Sequence, residues 1–447
     1  MEKQYIELYK ANHELIKEHA APITNVSRDD AMAKFERLGF PTTKHEDYLY
    51  TNLKPIFSAD YGLNFKRLDF PVDPYKTFQC DVPEIHGYQY FVVNDGFYPP
   101  KENANGNLPE GVIICGLKEA SERYPELVAQ YYGKLTSQKE DALIAFNEAF
   151  AQDGFFMYVP QNVQMDKPVQ LINIMRSDVD LMANSRNLII IERGAKAQLL
   201  VCEHAMDDLH FVANRVSEVF VAENAIYEDY KLENTHSKTF NFATVLIDQQ
   251  ESSDTLTNLI TLNNGLTRNN IEIAMNGEDC KTELCGMMVG GNEQQIDNQT
   301  MILHNKPNSL SDELFKYILD DKAKGAFTGR IFVEKDAQKT LAYQLNRNIL
   351  LSKTAKVRSR PQLEIYADDV KCSHGATTGH IDEQALFYMR SRGISLEEAR
   401  LLLMYAFTAD VIDNIRIPTL ADRMKFLVEQ RLRGELGMHD GCSLCMH

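Results

Sequence analysis

The spacing of apolar residues changes twice along the chain and divides it into zones. Up to residue 153, helical spacing is mixed with short extended runs. From 154 to 376, short apolar or alternating runs recur with Gly, Asn and Asp between them, and from 377 the spacing is helical again. A period near 3.6 residues indicates a helix and a period of two a strand. The pattern predicts a mixed, partly helical region at 1–153, a β core at 154–376, a helical domain at 377–437 and a short tail at 438–447.

In the first zone, apolar spacing predicts a helix at Lys3–Ile16 and others at Glu126–Leu135 and Asp141–Phe150. Ser27 is a suitable N-cap for a further helix that runs to Leu38. Short strands and turns are expected between residues 83 and 99.

The central zone contains over a dozen candidate strands in about 220 residues and no persuasive helix. So many short strands suit a stacked solenoid better than a sandwich or barrel, although no exact repeat is visible. The predicted strands are Phe155–Val159, Val169–Met175, Leu188–Ile191, Gln198–Cys202, Val216–Val221, Thr244–Ile247, Leu256–Leu262, Ile271–Met275, Leu284–Val289, Met301–Leu303, Gly329–Val333, Leu341–Leu351 and Gln362–Tyr366.

Three helices are predicted in the last zone. Ile381–Arg392 precedes a glycine stop, and Ser395 with Glu398 forms a capping box for a helix that runs to Ile415. Pro418 is expected to break the chain, and Thr419 to cap a last helix that ends near Gly434 or Gly437.

Composition narrows the class of protein. The chain has 447 residues, of which 44% are hydrophobic, and its net charge is −17. Such a chain can build a large core, while its acidity disfavours sequence-independent binding to nucleic acid or anionic membranes. We find neither an apolar run long enough to span a membrane nor a secretory signal, and eight scattered cysteines favour reduced thiols in a cytoplasmic protein.

The motifs of several enzyme classes are missing from the sequence. It contains neither a phosphate-binding G-x-x-x-x-G-K-[ST] loop nor G-x-G-x-x-G, so an ATPase or a dinucleotide enzyme is not expected. G-x-S-x-G, H-E-x-x-H and paired C-x-x-C zinc motifs are also missing.

One candidate site lies between the last predicted strand and the first C-terminal helix, in Asp368-Asp369-Val370-Lys371-Cys372-Ser373-His374. In an extended chain Cys372 and His374 point to the same face, and Lys371 is expected to favour the thiolate of Cys372. Thiolate and imidazole are a suitable partial ligand set for iron or an iron–sulfur centre. The alternative is a turn in which Cys and His occur by coincidence.

The tail supplies a second candidate, because His439, Cys442, Cys445 and His447 place four metal-capable side chains in nine residues. The alternative is a frayed terminus. The remaining cysteines lie in apolar runs or carry only weak ligand spacing and are interpreted as buried or incidental: Cys80, Cys115, Cys202, Cys280 and Cys285.

Long stretches of the sequence resemble the SufB/SufD family of iron–sulfur cluster assembly proteins, and the Cys-Ser-His-Gly string and the length suit its SufD branch. These stretches are 325–330, 336–340, 343–348, 361–377 and 386–394. A weaker match covers 39–48, where Tyr48 stands in place of the usual Trp. The Cys/His tail does not belong to the common pattern.

The resemblance implies a right-handed parallel β-helix, flanked by the two terminal regions, in a complex with SufB and a pair of SufC ATPases. SufC would dock on the C-terminal helices, within 381–436. A cluster would assemble at the SufB junction near His374 and Cys372, so iron or a cluster is expected there only transiently, with no tightly bound cofactor. The subunit would be a scaffold without its own turnover, and it could form a homodimer when alone.

Two other classes of function remain open at this stage. Many β-helices are enzymes that act on polysaccharides through clustered charged residues, and the tail alone would suit a stand-alone metal-binding protein. Co-purification with an ATPase would favour the scaffold, whereas lyase or hydrolase turnover by the isolated chain would favour the enzyme.

Overall fold

The computed structural model describes residues 1–66, 73–78, 80–83, 85–100 and 107–436. The N-terminal region is mixed, as predicted. Its elements are α1 Glu2–His19, α2 Arg28–Leu38, α3 Lys54–Phe57, β1 Gly62–Leu63, α4 Pro74–Thr77, β2 Tyr88–Val93, β3 Gly96–Tyr98, β4 Ile113–Gly116, α5 Leu117–Arg123, α6 Pro125–Tyr131 and α7 Ala142–Phe150. Ser27 precedes α2, but it does not cap that helix through its side chain, because its hydroxyl donates to the carboxylate of Glu148 instead.

The centre of the chain is a β-solenoid of about 8 turns, which confirms the predicted fold class. Its strands are β5 Phe155–Val159, β6 Val169–Met175, β7 Leu181–Ile191, β8 Lys196–Ala205, β9 Phe211–Val221, β10 Ile226–Asn234, β11 Thr239–Gln249, β12 Asp254–Asn263, β13 Leu266–Met275, β14 Lys281–Gly290, β15 Gln295–His304, β16 Leu310–Leu319, β17 Lys324–Val333, β18 Leu341–Leu350, β19 Lys356–Ile365 and β20 Lys371–Gly379.

Successive strands from β5 to β20 alternate between two sheets. The first sheet has the order β19-β17-β15-β13-β11-β9-β7-β5-β4 and the second β20-β18-β16-β14-β12-β10-β8-β6-β2-β3. From β5 to β20, each strand therefore pairs in parallel with the strand two places along the chain, which is the topology of a parallel β-helix. At the N-terminal end, β3 pairs antiparallel with β2 and β4 antiparallel with β5. The apolar lumen between the sheets forms the main core.

The length of one turn varies, which explains why no exact repeat is visible in the sequence. Phe240 pairs with Leu266, 26 residues on, whereas Lys324 pairs with Lys356, 32 residues on. At one corner the turns are nevertheless alike. A series of residues there has positive φ and donates its backbone N–H to the carbonyl of the following turn: Asn162, Gly194, Asn224, Ser252, Asp279, Asn308 and Lys339. Asn, Asp and Gly tolerate this conformation better than other residues, as the predicted turn positions require.

Three strands were not predicted from the sequence pattern: β10, β16 and β20. β10 reads Ile-Tyr-Glu-Asp-Tyr-Lys-Leu-Glu-Asn, yet most of it is buried, including Glu228 and Glu233. Buried charged residues break the apolar pattern of a strand, so the sequence of β10 resembles a solvent-exposed loop.

Outer layers cover both sheets. N-terminal helices pack on the first sheet, where Phe146 of α7 lies in a cluster with Val212 and Phe242. Phe78, Cys80, Val82 and Ile85, together with the C-terminal helices, pack on the second sheet. Lys316 of β16 donates to the Asp410 carboxylate at 2.5 Å and fixes the C-terminal layer. Buried ion pairs such as Arg186–Glu218 (2.7 Å) also occur on the first sheet.

The C-terminal helices are α8 Glu383–Ser391, α9 Leu396–Asp413 and α10 Pro418–Arg433. The hydroxyl of Ser395 accepts from the backbone N–H of Glu398, which confirms that cap. Thr419 is not the cap of the last helix: Pro418 is its first residue, because proline has no N–H to lose there and its φ suits a helix. Gly434 ends α10 in a left-handed conformation.

The strands do not stop at the predicted edges of the core. β2 pairs with β6 and β1 with β7, so segments before residue 154 extend both sheets, and β20 continues to Gly379. No helix within the described ranges is long and apolar enough to cross a membrane.

Candidate functional site

Cys372 and His374, the end-strand pair, lie on β20 at one end of the solenoid. Cys372 is in register with Ala342 and His374 with Gln344 of β18. Within the described part of the chain, the opposite edge of β20 pairs with no other strand. The end-strand pair therefore occupies the last rung of the second sheet, beside an open edge.

The pleat of β20 places both side chains on one face, as expected for an extended segment. Cys372 is half-buried and packs against the apolar lumen, whereas His374 is exposed. Burial raises the pKa of Cys372, and a hydrogen bond with the backbone of Ala342 offsets this only in part. The prediction that Lys371 favours the thiolate was wrong, because adjacent residues of a strand point to opposite faces.

The acidic pair Asp368 and Asp369 is exposed at the corner before β20. The N–H of Asp369 donates to the Gln338 side chain at 2.8 Å, and its carbonyl accepts from Lys339. These contacts hold the corner in place. The tail residues His439, Cys442, Cys445 and His447 lie outside the described residues, so the tail site stays a prediction.

A second group of metal-capable side chains lies far from β20, where the sequence predicted only incidental cysteines. Cys80, Cys202 and His204, here called the buried cluster, are brought together within the second sheet's outer layer. Cys202 and His204 are alternate residues of β8 and share its outer face. Cys80 belongs to residues 80–83, which lie over this face.

The geometry of the buried cluster is compact. The Sγ of Cys80 lies 3.5 Å from Nε2 of His204, and the ligand atoms of all three residues lie within 4.8 Å of one another. Each side chain is almost fully buried, with exposures of 6% for Cys80, 0% for Cys202 and 1% for His204. The Gln170 amide donates towards both sulfurs, at 3.4 Å to Cys80 and 3.9 Å to Cys202.

Neighbouring side chains orient the histidine of the buried cluster. The carboxylate of Asp81 lies 3.9 Å from Nδ1 of His204, on the side away from the sulfurs. The ring of Phe78 packs against the imidazole, with centroids 4.9 Å apart. Arg423 of α10 donates to the carbonyl of Asp81 at 2.6 Å, so the C-terminal layer holds the crossing segment on β8.

The three groups perturb each other's protonation. Burial raises the pKa of Cys80, but a hydrogen bond from Cys202 and contact with His204 outweigh burial and lower it to about 6. The hydrogen bond with Cys80 and burial both raise the pKa of Cys202. Burial lowers the pKa of His204, but the adjacent Cys80 reverses this and raises it above its usual value. Contact between the two groups therefore favours the thiolate form of Cys80 and the charged form of His204, while the thiolate form of Cys202 is disfavoured.

The sequence contained one overlooked signal for this cluster. Cys202-Glu203-His204 repeats the spacing of Cys372-Ser373-His374 within a strand. Cys80 is 122 residues away from Cys202, and only the crossing of the 80–83 segment over β8 brings it close. The other three cysteines interpreted as incidental, Cys115, Cys280 and Cys285, are buried, as predicted.

The C-terminal helices present a further surface. Their inner face is packed, with Val411 and Ile412 of α9 fully buried, whereas Phe387 and Tyr388 of α8 are 74% and 59% exposed. Leu402 of α9 is also exposed. The helical domain thus has the packed and the exposed apolar faces that a docking surface requires.

Comparison with known proteins places this solenoid in a class of cluster assembly proteins. Residues 173–407 match the family described as SUF system FeS cluster assembly, SufBD core domain, and residues 1–171 match the SufBD protein N-terminal region. The chain belongs to the SufBD family, as the sequence resemblance implied.

Similar proteins are spread over several organisms. The chain is 29% identical to the iron–sulfur cluster assembly protein SufD of Escherichia coli over 405 residues, which cover 89% of this chain and 90% of that protein. It is 28% identical to the SufBD family protein slr0076 of Synechocystis over 403 residues, 88% of either chain. SufD of Bacillus subtilis is 27% identical over 72% of this chain and 75% of its own length.

Proposed function

We propose that this chain is a SufD-like scaffold subunit of the SUF iron–sulfur cluster assembly complex and acts with SufB and a pair of SufC ATPases in cluster assembly and iron acquisition. The observation that carries the proposal is the end of the solenoid, where the end-strand pair lies beside a strand edge that pairs with no other strand among the described residues. Membership of the SufBD family supports the choice of partners.

The edge of β20 is the proposed SufB junction. An open strand presents unpaired N–H and C=O groups that can extend a sheet into a second chain. The same edge would let two copies pair into a homodimer when the chain is isolated.

His374 has the principal role at this junction, as an iron ligand or a proton relay. It is exposed, and its imidazole can ligate a metal or exchange a proton near neutral pH. Cys372 has an auxiliary role, in keeping with burial, which raises the pKa of its thiol. Iron or a cluster is cargo here and passes through the junction only transiently.

SufC docks on the exposed apolar face of the C-terminal helices. Large exposed side chains such as Phe387 and Tyr388 are typical of an interface. The double substitution Phe387→Ala and Tyr388→Ala should weaken SufC capture and leave folding intact. Undiminished capture of SufC by this variant would exclude the α8 surface.

The scaffold has no catalytic turnover of its own in this proposal, and it acts in the cytoplasm, in keeping with the free thiols of the six described cysteines.

The division into 1–153, 154–376, 377–437 and 438–447 remains our proposal for its domains. Because β1, β2 and β4 pair with strands of the solenoid, we expect 154–376 alone to be less stable than the full chain.

The decisive experiment is His374→Ala in the assembled complex. Cluster absorbance and acid-labile sulfide should fall about tenfold or more, because ligand loss removes an interaction that no neighbour replaces. Cys372→Ser is the matched variant and should have a smaller effect. Subunit stoichiometry must be unchanged. A normal cluster yield from an intact His374→Ala complex would refute the assignment, and loss of the complex would instead identify His374 as an interface residue.

A further inference from the structure

We propose that the buried cluster is a binding site for one soft divalent transition-metal ion, Zn²⁺ or Fe²⁺, held by Cys80 Sγ, Cys202 Sγ and His204 Nε2. This site is distinct from the SufB junction and does not depend on the function proposed for the end-strand pair.

The spacing of the ligand atoms fits a metal ion. Zinc–sulfur bonds of about 2.3 Å and zinc–nitrogen bonds of about 2.0–2.1 Å at a tetrahedral angle place sulfur and nitrogen roughly 3.5–3.6 Å apart. Cys80 Sγ and His204 Nε2 are 3.5 Å apart. Cys202 lies within 4.8 Å of both, so only small side-chain adjustments are required for all three to contact one ion.

The surroundings of His204 resemble those of a metal-bound histidine. Such a residue usually directs its other ring nitrogen at a carboxylate, which fixes the ring and increases its basicity. Here Nε2 contacts the sulfur of Cys80, and Nδ1 lies 3.9 Å from the Asp81 carboxylate, within the range of an ion pair but longer than a hydrogen bond. Phe78 packs on the imidazole face and further limits its rotation.

The donor set selects the class of ion. Two sulfurs and an imidazole favour zinc, iron or other thiophilic metals over Mg²⁺ and Ca²⁺, which prefer oxygen ligands. Three protein ligands leave one coordination position for water or another small ligand. Because Cys80 belongs to the N-terminal region and Cys202 to the solenoid, a bound ion would join the two.

The test is a cobalt titration of the full chain under reducing conditions. Cys442→Ser and Cys445→Ser form the background, so that the tail cannot supply thiolates. We expect one Co²⁺ per chain, with sulfur-to-cobalt charge-transfer bands and the visible bands of a tetrahedral site. Cys80→Ser should abolish these bands, whereas Cys285→Ser, a buried cysteine of the same outer layer, and Cys372→Ser should retain them.

Unchanged cobalt binding in Cys80→Ser would overturn the proposal, as would bands that follow Cys372. Circular dichroism must show that Cys80→Ser is folded. If it is not folded, X-ray absorption should be measured on zinc bound to the chain that retains Cys80, Cys202 and His204. Two sulfurs and a histidine nitrogen bound to the zinc would support the site, and zinc ligation without sulfur would overturn it. A raised unfolding midpoint with Zn²⁺ is also expected, because a ligand that binds only the folded state stabilises it.

Discussion

Two strands of the same solenoid carry the same Cys-x-His spacing in opposite environments. On β20, Cys372 is half-buried and His374 exposed, beside an edge to which no strand of the described ranges pairs. On β8, Cys202 and His204 are fully buried, with strands on both sides and a chain segment above them.

The difference shows that the rung of the solenoid, and not the local motif, decides what the side chains can do. At the end of the stack, the histidine is exposed and within reach of a large partner, in keeping with the junction proposed there. In the middle, macromolecules are excluded, but a third ligand is supplied from elsewhere in the chain and the geometry is fixed. That site suits a small ion.

The largest expected effect is a difference in the loss of stability when a side chain is truncated in the middle or at the end of the solenoid. Leu200→Ala, next to the buried cluster on the outer face of β8, should lower the free energy of unfolding by about 2–5 kcal/mol, because a buried side chain leaves a cavity. Ile365→Ala on β19, where the side chain is 38% exposed, should cost less than about 1 kcal/mol. Denaturant unfolding measures both. Equal losses would mean that the end of the solenoid is as tightly packed as its middle.

Thiol reactivity should separate the regions next. Cys372 should be alkylated at least about a hundredfold faster than Cys202, because Cys202 reacts only after local opening, and about 1.4 kcal/mol of opening free energy slows it tenfold. Peptide mapping by mass spectrometry follows each thiol, with Cys115 as a buried reference. Comparable rates for Cys372 and Cys202 would contradict the burial of the cluster.

The lumen beside the buried cluster offers a pH test. Burial raises the pKa of Asp229 from its usual 3.8 to about 7, and Lys231 lowers it only in part. The folded state therefore binds more protons than the unfolded state between these pH values, and stability falls as pH rises from about 4 to 7. Asp229→Asn should remove this loss and raise stability at pH 8 by about 1–3 kcal/mol, less than the full shift because a cavity of ≈ 60 Å³ beside Asp229 admits water.

The control compares the Asp229→Asn variant with the unsubstituted protein at pH 4, where the two should have similar free energies of unfolding. An amide that destabilises the fold equally at both pH values would show that Asp229 is ionised and paired in the folded state.

The smallest expected effect concerns the stability of the end-strand pair. His374→Ala should change the free energy of unfolding of the isolated chain by no more than about 0.5 kcal/mol, because the side chain is exposed. Thermal or denaturant unfolding measures it. A large loss would indicate that His374 serves the fold, and its effect on cluster yield would then need another explanation.

Much of the fold could be predicted from local pattern. Short-range periodicity and capping chemistry, which act within a few residues, predict thirteen strands, the helices of the N- and C-terminal regions, and the Ser395 cap. β10 and β16 could not be predicted in this way, since their buried polar residues are satisfied by partners on other turns. An example is Glu313 of β16, whose carboxylate accepts from Gln344 of β18 at 2.5 Å.

The sequence by itself predicted a β-rich core between partly helical terminal regions and contained the Cys372–His374 motif, because each is written in neighbouring residues. The solenoid class followed only from the resemblance to a known family. Only the tertiary structure decided that Cys372 lies half-buried at an open edge and that Cys80 meets Cys202 and His204. The reason is that a turn of 26 to 32 residues sets which side chains are stacked, and a segment from outside the solenoid supplies the third ligand. The local pattern of β8 or β20 encodes neither the length of the turn nor the position of that segment.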